Sequence, residues 1–255
     1  MLKRTTVYVL LLVFFFGCGG KRPEPNWTAE EYFHYAKAKY DDEDYFEAVN
    51  DFTVVILRFA GSTVADSAQY FLACSHFYMK EYIISSAEFE KLINNMAQSP
   101  LVSKAQYMLA ESYYQLSPRA ALDQESSIKA LREFQAFVEE YPLSENRVEA
   151  EKKIVELREK MASKQWLNAE LYRNMQEFNS SLIYYDVILE RYYDTDYAEK
   201  AQYGKALVYL EMKEYQKAQE ALLLFKDKFP NSDLKEVVER YLQRANNQLE
   251  KQEKK

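Results

Sequence analysis

Apolar residues along this chain fall three and four positions apart, the spacing of one face of a helix, and they do so in recurring blocks. Thr28 opens the first block, and Glu31 three residues later completes a capping-box signature. Tyr32, Tyr35, Ala36 and Tyr40 then mark a helix face, residues 41–44 a turn, and Tyr45, Ala48, Phe52 and Val55 a second helix ending near Ala60-Gly61. The pattern returns at a step of 37, with Ala48 matching Ser85, Phe52 matching Phe89, and Ala68-Gln69-Tyr70 matching Ala105-Gln106-Tyr107. The same tag recurs as Ala201-Gln202-Tyr203.

In the third unit Ala130 and Phe134 take the second-helix places, 45 residues after Ser85 and Phe89, so its turn is longer, around residues 117–123. Pro118 there excludes one continuous helix. Tyr141-Pro142-Leu143-Ser144 closes that unit. No breaker follows until Arg173, and Ile154, Leu157, Met161 and Ala169 keep a helical stripe, which predicts one long helix. Ala169, Tyr172, Phe178 and Ser181 of a fourth unit match Ala206, Tyr209, Tyr215 and Ala218 of a fifth, again 37 apart. Phe229-Pro230 stops the fifth unit, residues 234–249 predict a final helix, and residues 251–255 a charged tail.

Small residues at Ala48, Ser85, Ala130, Ser181 and Ala218 let paired helices approach closely, while aromatic residues fill the space beside them. One pair cannot bury its own apolar face, so the pairs stack. The prediction is an all-α superhelical array of about five helix hairpins plus a C-terminal helix. It resembles the tetratricopeptide repeat, at a period of 37 rather than 34.

Composition agrees with this reading. Only 5 Gly and 6 Pro punctuate 255 residues, too few for many short strands, whereas hydrophobic residues make up 48%. A formal net charge of −7 argues against nucleic acid as a partner, because phosphates are bound by surplus Lys and Arg. Two cysteines and two histidines supply no disulfide framework and no His-built metal site. Cys74 reads as a small apolar group on a helix. Gly-rich phosphate loops and nucleophile patterns are missing from the sequence, so no catalytic residue, metal or cofactor is assigned and the chain is read as a non-enzyme. Residues 41–44 are acidic but lack the glycine and the spacing of a calcium loop, and they read as a solvated turn with Asp44 as a cap.

The N-terminus carries a different signal. Lys3 and Arg4 precede ten apolar residues at positions 7–16, followed by Gly17 and Cys18. The run is half the length of a membrane span, so it reads as an export signal. Gly17-Cys18 resembles the lipobox of bacterial lipoproteins, which implies cleavage after residue 17 and a covalent lipid on Cys18. Losing Lys3 and Arg4 would take the net charge from −7 to −9. Gly19 in place of Asp implies, by the same resemblance, the outer membrane. The expected organisation is 1–17 signal, 18–26 lipidated N-terminus and tether, 27–143 repeats 1–3, 144–250 repeats 4–5 with the final helix, and 251–255 tail.

A lipobox followed by five such repeats resembles the BamD family, the lipoprotein subunits of the outer-membrane β-barrel assembly machinery. Tyr141-Pro142-Leu143-Ser144, Leu157-Arg158 and Ala169-Glu170-Leu171-Tyr172 carry the local likeness, while Tyr192-Tyr193-Asp194-Thr195 departs from the family's Tyr-Pro corner. The resemblance implies binding rather than chemistry. It implies a lipid anchor on the periplasmic face of a diderm outer membrane and docking to the barrel subunit through the C-terminal repeats. Unfolded outer-membrane proteins, whose C-termini end in aromatic residues, would be received by the N-terminal repeats. The alternative is another periplasmic tetratricopeptide lipoprotein, such as a pilotin for a pilus or secretin.

In tetratricopeptide arrays the first helix of each pair lines the inner face. Transferring those offsets selects Phe33, Tyr40, Tyr70, Phe77, Tyr78, Tyr107 and Tyr114 as a candidate peptide-binding groove. Each of these aromatic residues also suits packing between neighbouring pairs. The same offsets select Trp166, Glu170 and Arg173, then Lys200, Tyr203 and Glu211, as a more polar surface, each single charge reading as solvated.

Overall fold

The computed structural model describes residues 24–253, and the expected signal peptide, Cys18 and most of the tether lie outside them. Eleven helices and no strands occur among the described residues. They are α1 (Ala29–Asp41), α2 (Tyr45–Arg58), α3 (Ala65–Tyr78), α4 (Tyr82–Asn95), α5 (Val102–Leu116), α6 (Glu125–Glu140), α7 (Arg147–Asn174), α8 (Phe178–Arg191), α9 (Asp196–Glu211), α10 (Tyr215–Lys228) and α11 (Lys235–Glu253). Consecutive helices pair as five hairpins, α1/α2 to α9/α10, and α11 closes the array.

The capping box forms as the sequence indicates. Thr28 Oγ1 accepts the Glu31 amide at 3.2 Å, and the Glu31 carboxylate accepts the Thr28 amide at 2.8 Å. Four of the five hairpins share one turn, in which Glu43, Lys80, Gln176 and Lys213 take left-handed backbone angles of φ 62–63°. In the first, the Asp44 amide reaches back to the Lys39 carbonyl and the Glu43 amide to Tyr40, closing a Schellman turn on non-glycine residues. Asp44 sits at the start of α2 but makes no side-chain cap bond, contrary to the sequence reading. The Schellman geometry fixes the chain direction instead. The third hairpin replaces this turn with the connection at residues 117–124, held by the Gln124 amide group, which donates to the carbonyls of Arg119, Ala120 and Leu122.

The corners between hairpins repeat as well. Ser62, Ser99, Ser144, Thr195 and Ser232 each donate their amide to the carbonyl three residues back, on Phe59, Met96, Tyr141, Tyr192 and Phe229. The Tyr192 corner therefore turns like the others despite lacking proline. The Ala-Gln-Tyr tag also gains a physical role. Gln69 donates to the Glu88 carbonyl and Gln202 to the Ala221 carbonyl, both at 2.9 Å, which fastens first helix to second. Ser85 and Ser181 do the reverse, donating to the carbonyls of Ala73 and Ala169 at 3.0 and 2.9 Å.

The core is a row of clusters rather than one centre. Phe52, Val55 and Leu72 form the first, Phe89, Leu92 and Leu109 the next, and Phe134, Phe137 and Leu157 the third. Tyr185, Ile188 and Val208 form the fourth, and Leu222, Phe225 and Val238 the last. Each cluster joins one hairpin to the element after it, as a stacked repeat requires.

Helix α7 breaks the regularity. A step of 37 back from α9 lands on residues 159–174, so residues 147–158 are an N-terminal extension. Ala150 and Leu157 of the extension seal hairpin 3, while Met161, Ala162 and Ala169 pack with α8. Helix α11 runs through Glu253, so the expected tail begins inside the helix. Lys, Gln and Glu are good helix formers, and no breaker stands at residue 250.

Candidate functional site

The seven candidate groove aromatics all lie on first helices, but packing divides them. Phe33 lies between Phe52 and Phe71, with ring centroids 5.9 and 6.1 Å away. Tyr70 meets Phe71 and Phe89 edge-on, and Tyr107 rests on Phe134 and Phe137 at 5.9 and 5.4 Å. Three of the seven are thus committed to hairpin cores. Burial pushes the Tyr107 hydroxyl up to about 12 and raises Tyr70 as well.

Tyr40 and Tyr78 behave differently. Tyr40 sits 5.0 Å from Phe71 and 6.0 Å from Tyr78, and Tyr78 stacks on Tyr45 at 5.2 Å with planes 18° apart. Tyr78 stays 51% exposed, and Phe77 leans on it at 5.7 Å while touching Tyr82. These rings form a continuous ladder beside the turns of hairpins 1 and 2. The Lys37 amine lies 4.8 Å over Phe71 and pairs with Asp41 at 2.5 Å, so the ladder borders the acidic turn at residues 41–44. Tyr45 belongs to this ladder, although the sequence reading named it only on the second helix and not in the groove. The recurrence of an aromatic residue opening α2, α4, α8 and α10 (Tyr45, Tyr82, Phe178, Tyr215) was the available signal.

Tyr114 edges the hairpin 3 core, 6.3 Å from Phe134, but its polar end is engaged elsewhere. Its hydroxyl donates to Glu156 at 2.5 Å, and the Lys153 amine stands 4.1 Å over its ring. That hydrogen bond first, and burial second, push the Tyr114 hydroxyl up to about 12. Cys74 lies under the ladder with Tyr40 and Tyr70, and burial pushes its thiol up to about 12, so it is neutral and unreactive at ordinary pH.

The residues selected for a polar surface in the C-terminal half are largely used within the fold, a correction to their reading as solvated charges. Arg173 pairs with Glu211 at 2.5 Å across hairpins 4 and 5, and Glu170 accepts the Tyr185 hydroxyl. The Glu211 pair holds the Arg173 guanidinium above its usual range against the opposing effect of burial. Trp166 leans on Tyr197 at 6.0 Å, the Lys200 amine lies 4.5 Å over Tyr197, and Tyr203 sits between Phe225 and Tyr241. An open cleft of about 430 Å³ lies where the residue 117–124 connection meets α7 and α9. Among the described residues no group of His, Cys, Asp and Glu could hold a metal ion. No helix there is long and apolar enough to cross a membrane.

Comparison with known proteins places these features. The family described as YfiO, outer membrane lipoprotein, matches residues 25–224. The chain belongs to this outer membrane lipoprotein family. The match runs from the entry turn into α10, and the YfiO family includes BamD. No curated protein matches this lipoprotein. Solved structures similar to it include tetratricopeptide proteins. The TPR2AB-domain:pHSP90 complex of yeast Sti1 is 13% identical, with 86% of this chain and 98% of that one covered and a TM-score of 0.40. YrrB, a TPR protein with an unusual peptide-binding site, is 19% identical over 84% of this chain and 92% of that one, with a TM-score of 0.40. The P58(IPK) TPR domain is 17% identical over 88% and 56%, with a TM-score of 0.43.

Proposed function

We propose that this lipoprotein is a lipid-anchored scaffold subunit of the complex that inserts β-barrel proteins into the outer membrane. Cys18 carries the anchor, and the helical array stands on the periplasmic face. The C-terminal repeats hold the barrel subunit, and the N-terminal repeats receive unfolded outer-membrane proteins. The observation that carries the reading is the family match, which spans most of the described chain and is laid over a repeat with no assigned chemistry of its own. Within the N-terminal repeats, the ladder of Tyr40, Tyr45 and Tyr78 is the part of the aromatic set that suits an incoming aromatic side chain. Stacked tyrosines offer large, rigid contact area with polar tips.

The test is affinity purification of the tagged full chain from native membranes. Recovery of the barrel subunit is expected, and its absence removes the reading. A secretin or pilus protein in its place identifies a pilotin instead. Cys18→Ser should release the chain from the membrane. Tyr45→Ala with Tyr78→Ala should weaken binding of an aromatic-ended peptide by about tenfold, the scale of one lost interface anchor. Tyr70→Ala or Tyr107→Ala should instead lower the melting temperature.

A further inference from the structure

One helical face is uncovered where its counterparts are packed. Hairpin turns and the serine-to-carbonyl bonds align α7 with α3 at a step of 96 and with α9 at a step of 37. Leu167, Leu171 and Met175 therefore correspond to Phe71, Ser75 and Met79 in hairpin 2 and to Gly204, Val208 and Met212 in hairpin 5. In those hairpins this face packs into the preceding hairpin. Phe71 contacts Tyr40 and Phe52, Ser75 and Val208 are fully buried, and a Cβ added at Gly204 would meet Tyr185 of α8 at 2.5 Å. In hairpin 3 the corresponding Ser112 is also fully buried, against Ser85 of the preceding hairpin.

In α7 the same positions stand open. Leu167 is 42% exposed, Leu171 55% and Met175 60%. The cause is the extension at residues 147–158. Hairpin 3 packs its core against that extension and touches the start of the repeat-equivalent part through Leu131, Ser117 and Leu122, which leaves residues 167–175 beyond it. Exposure alone does not call for apolar residues there. In α1, where no hairpin precedes, the corresponding residues are His34, Ala38 and Asp42, all exposed. The chain thus places small or polar groups where this face meets water, and two leucines and a methionine where α7 is open.

Two amines at the N-terminal end of the stripe have no direct ion pair, although Glu159 and Asp196 line the cleft beside Lys160. Lys160 and Lys164 continue the same helix face toward the N-terminus. Lys160 donates to Ser117 Oγ at 2.8 Å and Lys164 to the Leu122 carbonyl at 2.7 Å, and among the described residues no carboxylate lies within ion-pairing distance of either. Glu156, whose charge reaches Lys160, accepts the Tyr114 hydroxyl. Leu122, itself exposed, borders the stripe through the Lys164 contact.

We infer that this open face of α7 docks an amphipathic helix of another protein, its apolar stripe on Leu167, Leu171 and Met175 and its carboxylates toward Lys160 and Lys164. The site is a vacant inter-repeat joint, and elsewhere in this chain such joints receive a helix. Residues four apart form a ridge that seats between the side chains of a facing helix. The two amines select the direction and sign of the occupant. The inference stands apart from the barrel-assembly reading, because a helix on any envelope protein could occupy the face.

The test places a photo-crosslinking residue at Leu167, Leu171 or Met175 of the full chain in its native membrane and maps the partner residues captured. The expected result is one partner segment, captured at residues three or four apart and carrying Asp or Glu beside them, with no such segment from the control site Ala38. Leu171→Glu should cut the Met175 crosslink about tenfold at unchanged helical signal, the loss typical of one interface anchor. Lys160→Gln with Lys164→Gln should cut it about threefold at low salt and less at high salt. Capture at every second residue of an extended segment, capture of this same chain, or no capture from all three sites would overturn the inference.

Discussion

The first helices of hairpins 1–3 and both helices of hairpins 4–5 repeat at a step of 37, but the hairpins are joined by different chemistry. Between hairpins 1 and 2 the joint is a set of rings, in which Phe71 meets Phe33, Tyr40 and Phe52. Between hairpins 4 and 5 an apolar cluster of Tyr185, Ile188 and Val208 is flanked by ion pairs. Arg158 pairs with Asp194, Arg173 with Glu211 and Lys205 with Asp186, and Tyr197 donates to Ser163. The lesson is that the repeat fixes where two hairpins touch, while the contacting residues set which conditions loosen the joint. A ring joint responds to lost volume and to ionisation, and an ionic joint responds to salt and charge reversal.

The chain has two tryptophans, Trp27 on α1's approach and Trp166 on α7, so single-tryptophan variants report each half separately. The largest effect should come from Phe52→Ala. It empties a fully buried site and should cost about 3–5 kcal/mol, seen as early unfolding by Trp27 fluorescence in urea. If Trp166 shifts equally, the halves unfold as one unit and the comparison fails. Next is Gly204→Ala, whose new Cβ would sit 2.5 Å from Tyr185 Cζ; at about 1–3 kcal/mol it should be reported first by Trp166.

Alkaline pH should act more gradually and chiefly on the first half. Burial holds Tyr113 and Cys74, like Tyr107, protonated up to about 12, and raises Tyr40 and Tyr70 too. Unfolded, tyrosine ionises near about 10 and cysteine near about 8.5. The folded state therefore binds more protons, and stability is full below the unfolded values and declines as pH rises toward about 12. Tyr185, Tyr192 and Tyr203 are also raised in the second half, but they are fewer, so it declines over the same range by less. Thermal melts at pH 8 and pH 10.5 should lower the Trp27 transition more than the Trp166 transition, and the reverse order would contradict the ring-joint account.

A smaller effect is expected at the ionic joint. A double-mutant cycle on Arg173→Ala and Glu211→Ala should give a coupling of about 0.2–1 kcal/mol, because both groups are partly exposed. Added salt should shrink it, and a coupling unchanged by salt would mean that packing rather than charge joins these helices. The smallest change is Lys80→Gly. It relieves a left-handed residue at φ 63° while adding unfolded-state freedom, so a gain of a few tenths of a kcal/mol in thermal melts is expected.

Much of the fold was legible in order along the chain. Thr28 and Glu31, the tags at Gln69 and Gln202, and the long helix through Leu157 and Ala169 are all local signals, because helical spacing is set within four residues. The candidate site was less legible. Offsets placed Tyr70 and Tyr78 on the same helix and in the same role, yet one enters a hairpin core and the other stays half exposed beside Tyr45. A residue's angle on its helix is encoded nearby, but its cover comes from a hairpin some 37 residues away.

The sequence by itself determined the hairpins, their period, the places of their turns and the length of α7. Only the tertiary structure decided that Arg158 reaches Asp194 and Tyr114 reaches Glu156, and that Leu171 faces water where Val208 is buried. Periodicity tells each helix which side is apolar. Whether a neighbour lies against that side depends on how far an inserted stretch displaces the stack, and that is a property of the whole array.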